Sequence, residues 1–326
     1  MACMDPYGRK IEYVRLSLTD KCNLRCFYCL PERHRDFKSP STYLTFDEIE
    51  RVMTAFARLG VTRVRLTGGE PLVRKGAVGL ARRLAAIDGI DDLSLSTNAL
   101  LLASCASELY DAGIRRLNIS LDSLREDRFR KITHGGDLAA VLQGLAEAKK
   151  AGFSPIKINM LVMKGINEDE ILDLADYCLS NGFALRFIEA MPMGSGGREA
   201  YRHYLGLDTV RELLERHYDL LESVMPGGGP ARYVQVRGTD QHFGFITPLS
   251  QHFCATCNRV RLAVDGTLHL CLGNTHSYPL RPLLRDGIDD EALQDALREA
   301  LALKPLQHNF MSDPDHITRA MSLTGG

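Results

Sequence analysis

Six of the nine cysteines fall into two close groups, Cys22, Cys26 and Cys29, then Cys254, Cys257 and Cys271. Thiols clustered this closely, in an odd total and without the spacing of a disulfide framework, point to metal. The first group has the spacing C-x-x-x-C-x-x-C and directly follows a β-type run. It therefore lies on the loop at a strand's C-terminal end, where α/β folds place chemistry. A four-iron cluster normally takes four thiolates, so three leave one iron open to a ligand. A zinc ion completed by His34 is the other use of the same thiols. The second group is a C-x-x-C followed, after thirteen intervening residues, by Cys271, and zinc with His252 or His269 as fourth ligand is again the alternative. Arg259 and Arg261 alternate on one strand beside these thiols and share a face. A structural zinc knot has no need of them, whereas an anionic ligand does, because guanidinium forks match phosphate oxygens in paired hydrogen bonds. Cys105 and Cys178 read as core thiols and Cys3 as part of a mobile terminus.

Further chemistry-bearing residues sit on other expected strands. In Thr67-Gly68-Gly69-Glu70-Pro71 the two glycines allow close backbone approach and Glu70 offers a carboxylate to a cationic amine. The alternative is an ordinary strand-to-helix turn. Alternation places Arg63 and Arg65 on one face of a strand, opposite Val64 and Leu66, and Lys157 and Asn159 opposite Ile156 and Ile158. Arg186 lies between Leu185 and Phe187. With the apolar faces packed on helices, these cations point inward. Buried cations converging without partners predict a polyanion, unless each is paired with an internal carboxylate or lies at a solvated strand end.

The elements that must position these residues alternate in type. Short β-branched runs at Tyr13-Leu18, Arg63-Leu66, Leu93-Ser96, Arg116-Leu121, Ile156-Val162 and Ala184-Glu189 are separated by helical stretches, the pattern of βα units and a parallel sheet. Helices are expected over Phe46-Leu59, Lys75-Ile87, Leu100-Ala112, Leu138-Ala151 and Glu168-Ser180. Thr45 and Glu48 form a capping box at the start of the first. Six units are too few for a closed eight-stranded barrel and suit an open barrel or a doubly wound sheet. After Glu189 the texture changes, with glycine-rich runs at 194–197 and 227–229, a helix near Asp208-His217, and strands near Arg232-Val236 and Gly244-Ile246. This divides the chain into residues 1–225 and a smaller C-terminal region, 226–326.

The chain has 326 residues, and its 45% hydrophobic and 25% charged content is that of an ordinary globular protein with a sizeable core. Forty Lys and Arg against 41 Asp and Glu leave a net charge of −1. That balance speaks against nucleic-acid binding through a broad positive field, so any basic site must be local. No apolar run reaches membrane-spanning length and the start turns polar at once, so no membrane contact and a cytoplasmic location are expected.

Taken together, the first cysteine group and the Gly-Gly-Glu turn resemble the radical S-adenosylmethionine superfamily. Over nearly the whole chain the resemblance narrows to its GTP 3′,8-cyclase family of molybdenum cofactor biosynthesis, a lyase. It is carried by Arg15–Cys22, Arg65–Leu72, Arg116–Asp122, Lys157-Ile158-Asn159, Leu185–Glu189, Cys254–Leu262 and the terminal Gly325-Gly326. The resemblance implies an incomplete (βα)6 TIM-like barrel whose open side is covered by a C-terminal region carrying a second iron-sulfur cluster. It implies two [4Fe-4S] clusters, on Cys22, Cys26 and Cys29 and on Cys254, Cys257 and Cys271. At the first, S-adenosylmethionine chelates the open iron and lies by Tyr28, Gly69, Glu70, Ser120 and Met191. The second holds the guanine of GTP.

Contacts to GTP are implied for Arg15, Arg65, Ser96, Lys157, Arg186, Arg259 and Arg261, the last two also catalytic; Arg63 is inferred from alternation alone. A 5′-deoxyadenosyl radical takes hydrogen from ribose C3′, the carbon radical attacks C8, and reduction with protonation gives 3′,8-cyclo-7,8-dihydro-GTP. The Gly-Gly tail reaches into the active site. Implied partners are an electron donor of flavodoxin type and the next pathway enzyme, cyclic pyranopterin monophosphate synthase, with a monomer or homodimer both open. One departure is Ser96-Thr97-Asn98-Ala99, where the family usually has Thr-Thr-Asn-Gly. Ala99 matters only if that turn needs a positive φ. Two other readings fit the same residues: a radical enzyme acting on a peptide, and a non-catalytic zinc-dependent nucleotide-binding protein.

Overall fold

The computed structural model describes residues 3–30, 34–225, 227–310, 312 and 317–325. Six strands come first: β1 (Tyr13–Ser17), β2 (Arg63–Thr67), β3 (Asp92–Thr97), β4 (Arg116–Ser120), β5 (Ile156–Leu161) and β6 (Ala184–Ile188). Between and after them run α1 (Phe46–Arg58), α2 (Ala77–Ala85), α3 (Ala106–Asp111), α4 (Glu126–Thr133), α5 (Leu138–Lys150), α6 (Ile171–Asn181), α7 (Gly194–Tyr201) and α8 (Leu207–Glu215). The C-terminal part adds β7 (Leu220–Ser223), β8 (Arg232–Val236), β9 (His242–Ile246), β10 (Arg259–Leu262), β11 (Thr267–His269) and β12 (Ser277–Pro279), then α9 (Leu280–Arg285), α10 (Asp290–Ala302) and α11 (Met321–Thr324).

All twelve strands make one sheet in the order β12-β11-β10-β1-β2-β3-β4-β5-β6-β9-β8-β7. The six βα strands are parallel in sequence order. Two further parallel strands extend them: β10 pairs with β1 and β9 with β6. The outer strands return antiparallel. Registration brings three arginines side by side, since Arg15 lies opposite both Arg65 and Arg261.

The division of the sheet into faces follows from the two-residue period. Val14, Leu16, Val64, Leu66, Leu93, Leu95, Leu117, Ile119, Ile156, Ile158, Leu185 and Phe187 are buried in one continuous core with the helices. Each such side chain contributes roughly 1.5–3 kcal/mol on burial, which anchors the face that carries no charge. In α1, Ile49, Val52, Met53 and Phe56 supply the matching stripe. The helix starts where expected because Thr45 and Glu48 exchange backbone-to-side-chain hydrogen bonds of 3.1 and 2.7 Å.

Four expectations are revised. Cys3 is 1% exposed rather than on a loose end; its N–H donates to the Leu59 carbonyl and its own carbonyl accepts from Ile11. Cys105 is half-buried against the core rather than within it, because the expected helix over Leu100-Ala112 is broken into a 3-10 turn (Leu102–Ser104) and the short α3. Helix α4 and the long α10 were not foreseen. The glycine run at 194–197 begins α7: a Cβ at Gly196 would stand 2.6 Å from the Phe27 carbonyl oxygen, and one at Gly197 2.5 Å from that of Met191. Only a side-chain-free face lets this helix rest on the loop that carries Cys26 and Cys29.

The turn after β2 closes on the same loop. Gly69 N–H donates to the Thr19 carbonyl at 2.7 Å and Glu70 N–H to that of Lys21 at 2.9 Å, so the Gly68-Gly69-Glu70 turn is zipped along the segment leading into Cys22. A Cβ at Gly69 would overlap the Lys21 carbonyl. Gly69→Ala therefore forces the two loops apart, costing about 2–3 kcal/mol from overpacking and weakened backbone bonds; chemical denaturation, with amide exchange at residues 69 and 70, checks this. Ala99 does take a positive φ, 64°, yet it is fully buried. Relief of about 1–2 kcal/mol in the left-handed region is offset by roughly 0.8 kcal/mol of lost methyl burial and the entropy of an added glycine. Ala99→Gly should accordingly shift stability by under about 1 kcal/mol in the same denaturation assay.

Candidate active site

Backbone contacts fix the first cysteine loop before any side chain is considered. Arg25 and Phe27 N–H groups donate to the carbonyls of Thr133 and Ile132 at the end of α4. Cys22 Sγ accepts from Leu24 N–H at 3.4 Å and from Asn98 Nδ2 at 3.8 Å. Burial pushes all three thiols up, Cys29 to about 12, with neighbouring thiols adding to Cys26 and Cys29. A thiol binds metal as its thiolate, so a metal centre held on these three would be taken up with release of their protons.

Tyr28, on this loop, donates to Asp122 Oδ2 at 2.7 Å, and Asp122 Oδ1 accepts from Leu161 N–H at 2.8 Å. Burial raises the Asp122 carboxyl to about 6. Glu70 is 1% exposed, and its carboxylate accepts from Thr97 Oγ1 at 2.9 Å, Asn98 N–H at 2.8 Å and Leu72 N–H at 3.1 Å. It thus ties the β2 and β3 ends together, with most of its accepting capacity spent inside the protein. Gly69 packs on the cysteine loop as described.

A cavity of about 240 Å³ runs from Tyr28, Ser120 and Met191 to Cys254, Cys257 and Cys271. Arg15, Arg65, Arg186, Arg259 and Arg261 line it. Lys157 lies just behind, its Nζ 3.3 Å from Tyr233 Oη. All six cations are at most 9% exposed, and among the described residues none forms an ion pair with a carboxylate. Neutral groups hold them instead. Arg186 donates to Asn159 Oδ1 at 2.8 Å and Asn118 Oδ1 at 2.6 Å, and Arg65 to Ser94 Oγ at 3.4 Å. The Arg15 and Arg65 guanidiniums lie over Tyr13, 5.9 and 5.4 Å from the ring centre. The Nε atoms of Arg15 and Arg259 and both ring nitrogens of His269 are buried without a partner among the described residues. Burial, reinforced by the neighbouring cations, brings Arg65 down to about 9 and Lys157 to about 7. Orphaned donors in a field of uncompensated positive charge fit a polyanion.

Arg63 differs. Its side chain is 34% exposed and lies 3.8 Å from Glu12 and 4.0 Å from Asp92, so it is a paired cation at a solvated strand end. Ser96 shares the inward face of β3 with Ser94, opposite Asn118, outside the cavity lining. Cys22, Cys26, Cys29, Gly69 and Glu70 stand behind the lining at the Tyr28 end.

The second cysteine set comes from the turn before β10 and the end of β11. Burial raises Cys254 and Cys271. At Cys257 burial acts the same way, but Lys304 and Arg259 bring the thiol below its ordinary value. Among the described residues no three His, Cys, Asp or Glu side chains converge as a single-ion site needs, and a zinc ion draws its ligands to about 2.0–2.3 Å. His34 packs its ring edge-on 5.0 Å from Phe37, and His252 meets His308 edge-on at 6.0 Å. The tail joins the first set to Arg261: Ser322 N–H donates to the Cys29 sulfur, while Arg261 donates to the carbonyls of Thr324 and Gly325. Gly326 lies outside the described residues.

Several residues were not singled out from the sequence. Asn98 and Asp122 lay within quoted segments, so their polarity at strand ends was the available signal. Asn118, beside Arg186, lay in the same quoted segment as Asp122; Tyr13 beneath two arginines and Lys304 beside Cys257 gave no signal, because each role depends on a strand or loop distant in sequence.

Residues 16–178 match the Radical SAM superfamily and residues 183–310 match Molybdenum Cofactor Synthesis C. The chain is 48% identical to GTP 3′,8-cyclase 1 of Pseudomonas aeruginosa over 99% of both chains. It is 44% identical to the GTP 3′,8-cyclase of Hydrogenovibrio crunogenus over the whole of both. In fold it is similar to Streptococcus suis SuiB, solved bound to S-adenosylmethionine, with a TM-score of 0.61 and 15% identity over 90% of this chain and 72% of that one. No helix among the described residues is long and apolar enough to cross a membrane. With relatives this similar over full length, and a cavity of this composition on a partial barrel, the chain belongs to the GTP 3′,8-cyclase family of radical S-adenosylmethionine enzymes.

Proposed function

We infer that this protein is a radical S-adenosylmethionine lyase that converts GTP to 3′,8-cyclo-7,8-dihydro-GTP, the first step of molybdenum cofactor biosynthesis. The observation that carries the reading is the set of six buried cations, without carboxylate partners among the described residues, beside one cavity that Cys254, Cys257 and Cys271 line and whose other end is formed by Tyr28 of the first cysteine loop. A triphosphate supplies the missing negative charge, and a nucleotide has the length to reach from that charge to an open iron.

In this reading Cys22, Cys26 and Cys29 hold one [4Fe-4S] cluster, and Cys254, Cys257 and Cys271 a second. Bound at the first set, a reduced cluster with S-adenosylmethionine supplies a hydrogen-abstracting carbon radical. The chain's own work is placement. Tyr28, oriented by Asp122, together with Gly69, Ser120 and Met191, positions the S-adenosylmethionine, and Glu70 keeps the Gly-Gly turn closed on the cysteine loop. Arg15, Arg65, Lys157, Arg186, Arg259 and Arg261 hold the triphosphate, with Ser96 a polar contact beyond them. Charge-assisted bonds to several phosphate oxygens fix the ribose relative to the radical source, and orientation is a rate term the protein can add to a reaction whose hard step belongs to the cofactor. The C-terminal region from residue 226 closes the barrel side and excludes water and stray hydrogen donors. Arg261 connects substrate to tail: its bonds to Thr324 and Gly325 set the tail against the phosphate site.

Anaerobic reconstitution with counts of iron, sulfide and zinc, alongside product analysis with S-adenosylmethionine and GTP, tests the reading. About eight irons per chain, falling to about four in Cys254→Ala/Cys257→Ala/Cys271→Ala with loss of the cyclic product, is the expected result. About four irons and one zinc in the unsubstituted protein, unaffected by GTP, would sink it. Arg261→Ala should weaken GTP binding about tenfold to a hundredfold, the range for losing charge-assisted hydrogen bonds, while S-adenosylmethionine cleavage persists; equilibrium binding of GTP at unchanged affinity would remove Arg261 from the phosphate site.

A further inference from the structure

Cations that the phosphate site does not use surround the second cysteine set. Arg9 donates to the Cys254 carbonyl at 2.7 Å, to that of Leu306 at 2.8 Å and to that of Pro305 at 2.7 Å. Its charge is met by Asp5 at 2.5 Å. Arg319 donates to the carbonyls of Cys271 at 3.0 Å and Asn274 at 2.8 Å. Lys304, just beyond α10, is the most deeply placed at 3% exposed. Its Nζ donates to the Leu270 carbonyl at 2.5 Å, to that of Arg259 at 3.0 Å and to Cys257 Sγ at 3.7 Å.

Three acceptors use all three ammonium protons. Two are carbonyls, which orient the group but carry no net charge. Among the described residues no carboxylate pairs with Lys304, and an ammonium buried without a counter-charge is costly. Of the three acceptors, the Cys257 sulfur is thus the one able to carry a negative charge. The same three bonds join the strand carrying Arg259, the strand leading to Cys271, and the Cys257 turn, so one side chain sets the mutual position of two of the three cysteines.

We propose that Lys304 is a positioning residue of the C-terminal cysteine site, whose buried positive charge offsets the Cys257 thiolate and favours the reduced, more negative form of the cluster held there. This rests on the two-cluster reading. Hydrogen bonds to ligating sulfurs and nearby charge are established levers on the potential of such clusters.

Full-length Cys22→Ala/Cys26→Ala/Cys29→Ala protein, reconstituted anaerobically, isolates the C-terminal site, and dithionite titration followed by electron paramagnetic resonance gives its midpoint. Adding Lys304→Gln should move the midpoint negative by about 59 mV or more, the one-electron equivalent of a tenfold change in the ratio of reduced to oxidised cluster. Lys304→Arg, which keeps the charge, should remain close to the parent. An unmoved midpoint in Lys304→Gln, or equal shifts in both variants, overturns the proposal. Where Lys304→Gln fails to hold its cluster, retention of iron and sulfide in Lys304→Arg supports it, and loss in both overturns it. A parent that binds one zinc and no iron overturns the two-cluster reading and this proposal together, whereas a cluster present with an unmoved midpoint overturns this proposal alone.

Discussion

Positive charge held inside a sheet without negative partners is the constraint around which this molecule is organised. Taking an ion out of water costs several kcal/mol even after relaxation, and here six of them share one lumen and repel one another. The cost is tolerable only because the opposite face of the same strands is continuously apolar. Arg15 and Leu16, Arg65 and Leu66, Lys157 and Ile158, Arg186 and Phe187 are chain neighbours, one of each pair facing the lumen and the other the helices. The core under α1, α2, α5 and α6 therefore stabilises the strands that present the charge. A bound polyanion would remove part of the cost, so nucleotide binding and fold stability are coupled by mass action.

Neutral polar groups make this arrangement specific. Asn118 and Asn159 aim Arg186, Ser94 meets Arg65, and the Tyr13 ring supports two guanidiniums. A carboxylate in any of these places would hold the cation more tightly and quench its attraction for phosphate. Amide, hydroxyl and ring contacts instead fix direction while leaving the charge available. The cations at the strand entrances that do have carboxylates nearby, Arg63 against Glu12 and Asp92 and Arg116 against Asp92, are also in partial contact with solvent.

Strand positions were legible because their signal is local. A two-residue alternation of Val, Leu and Ile with Arg, Lys and Ser marks both the strand and the face, and the six βα strands lie within a residue or two of expectation. The cysteine groups were equally plain. What could not be read are features whose cause is another part of the chain. The glycine run at 194–197 has the composition of a linker, and becomes a helix because its bare face meets the carbonyl of Phe27. Cys3 has the sequence context of a frayed end, but is captured by Leu59 and Ile11. Leu303-Lys304-Pro305 resembles an ordinary helix exit, and only the return of β10 and β11 brings the Lys304 ammonium to a thiolate.

The pairing of β10 with β1 has a consequence for how the protein is made. The first cysteine loop leaves the ribosome early, attached to a strand whose neighbour on one side is encoded more than two hundred residues later. Until that neighbour arrives, β1 is an open edge, and the three thiols beside it lack both the C-terminal residues that pack against Cys29 and the wall that shields them. Contacts this distant form slowly, since the loop must close before its contacts repay the entropy. In the proposed function, insertion of a cluster on Cys22, Cys26 and Cys29 is therefore timed against completion of the chain. A newly made molecule passes through an interval in which the thiols of this loop lack the wall that later covers them.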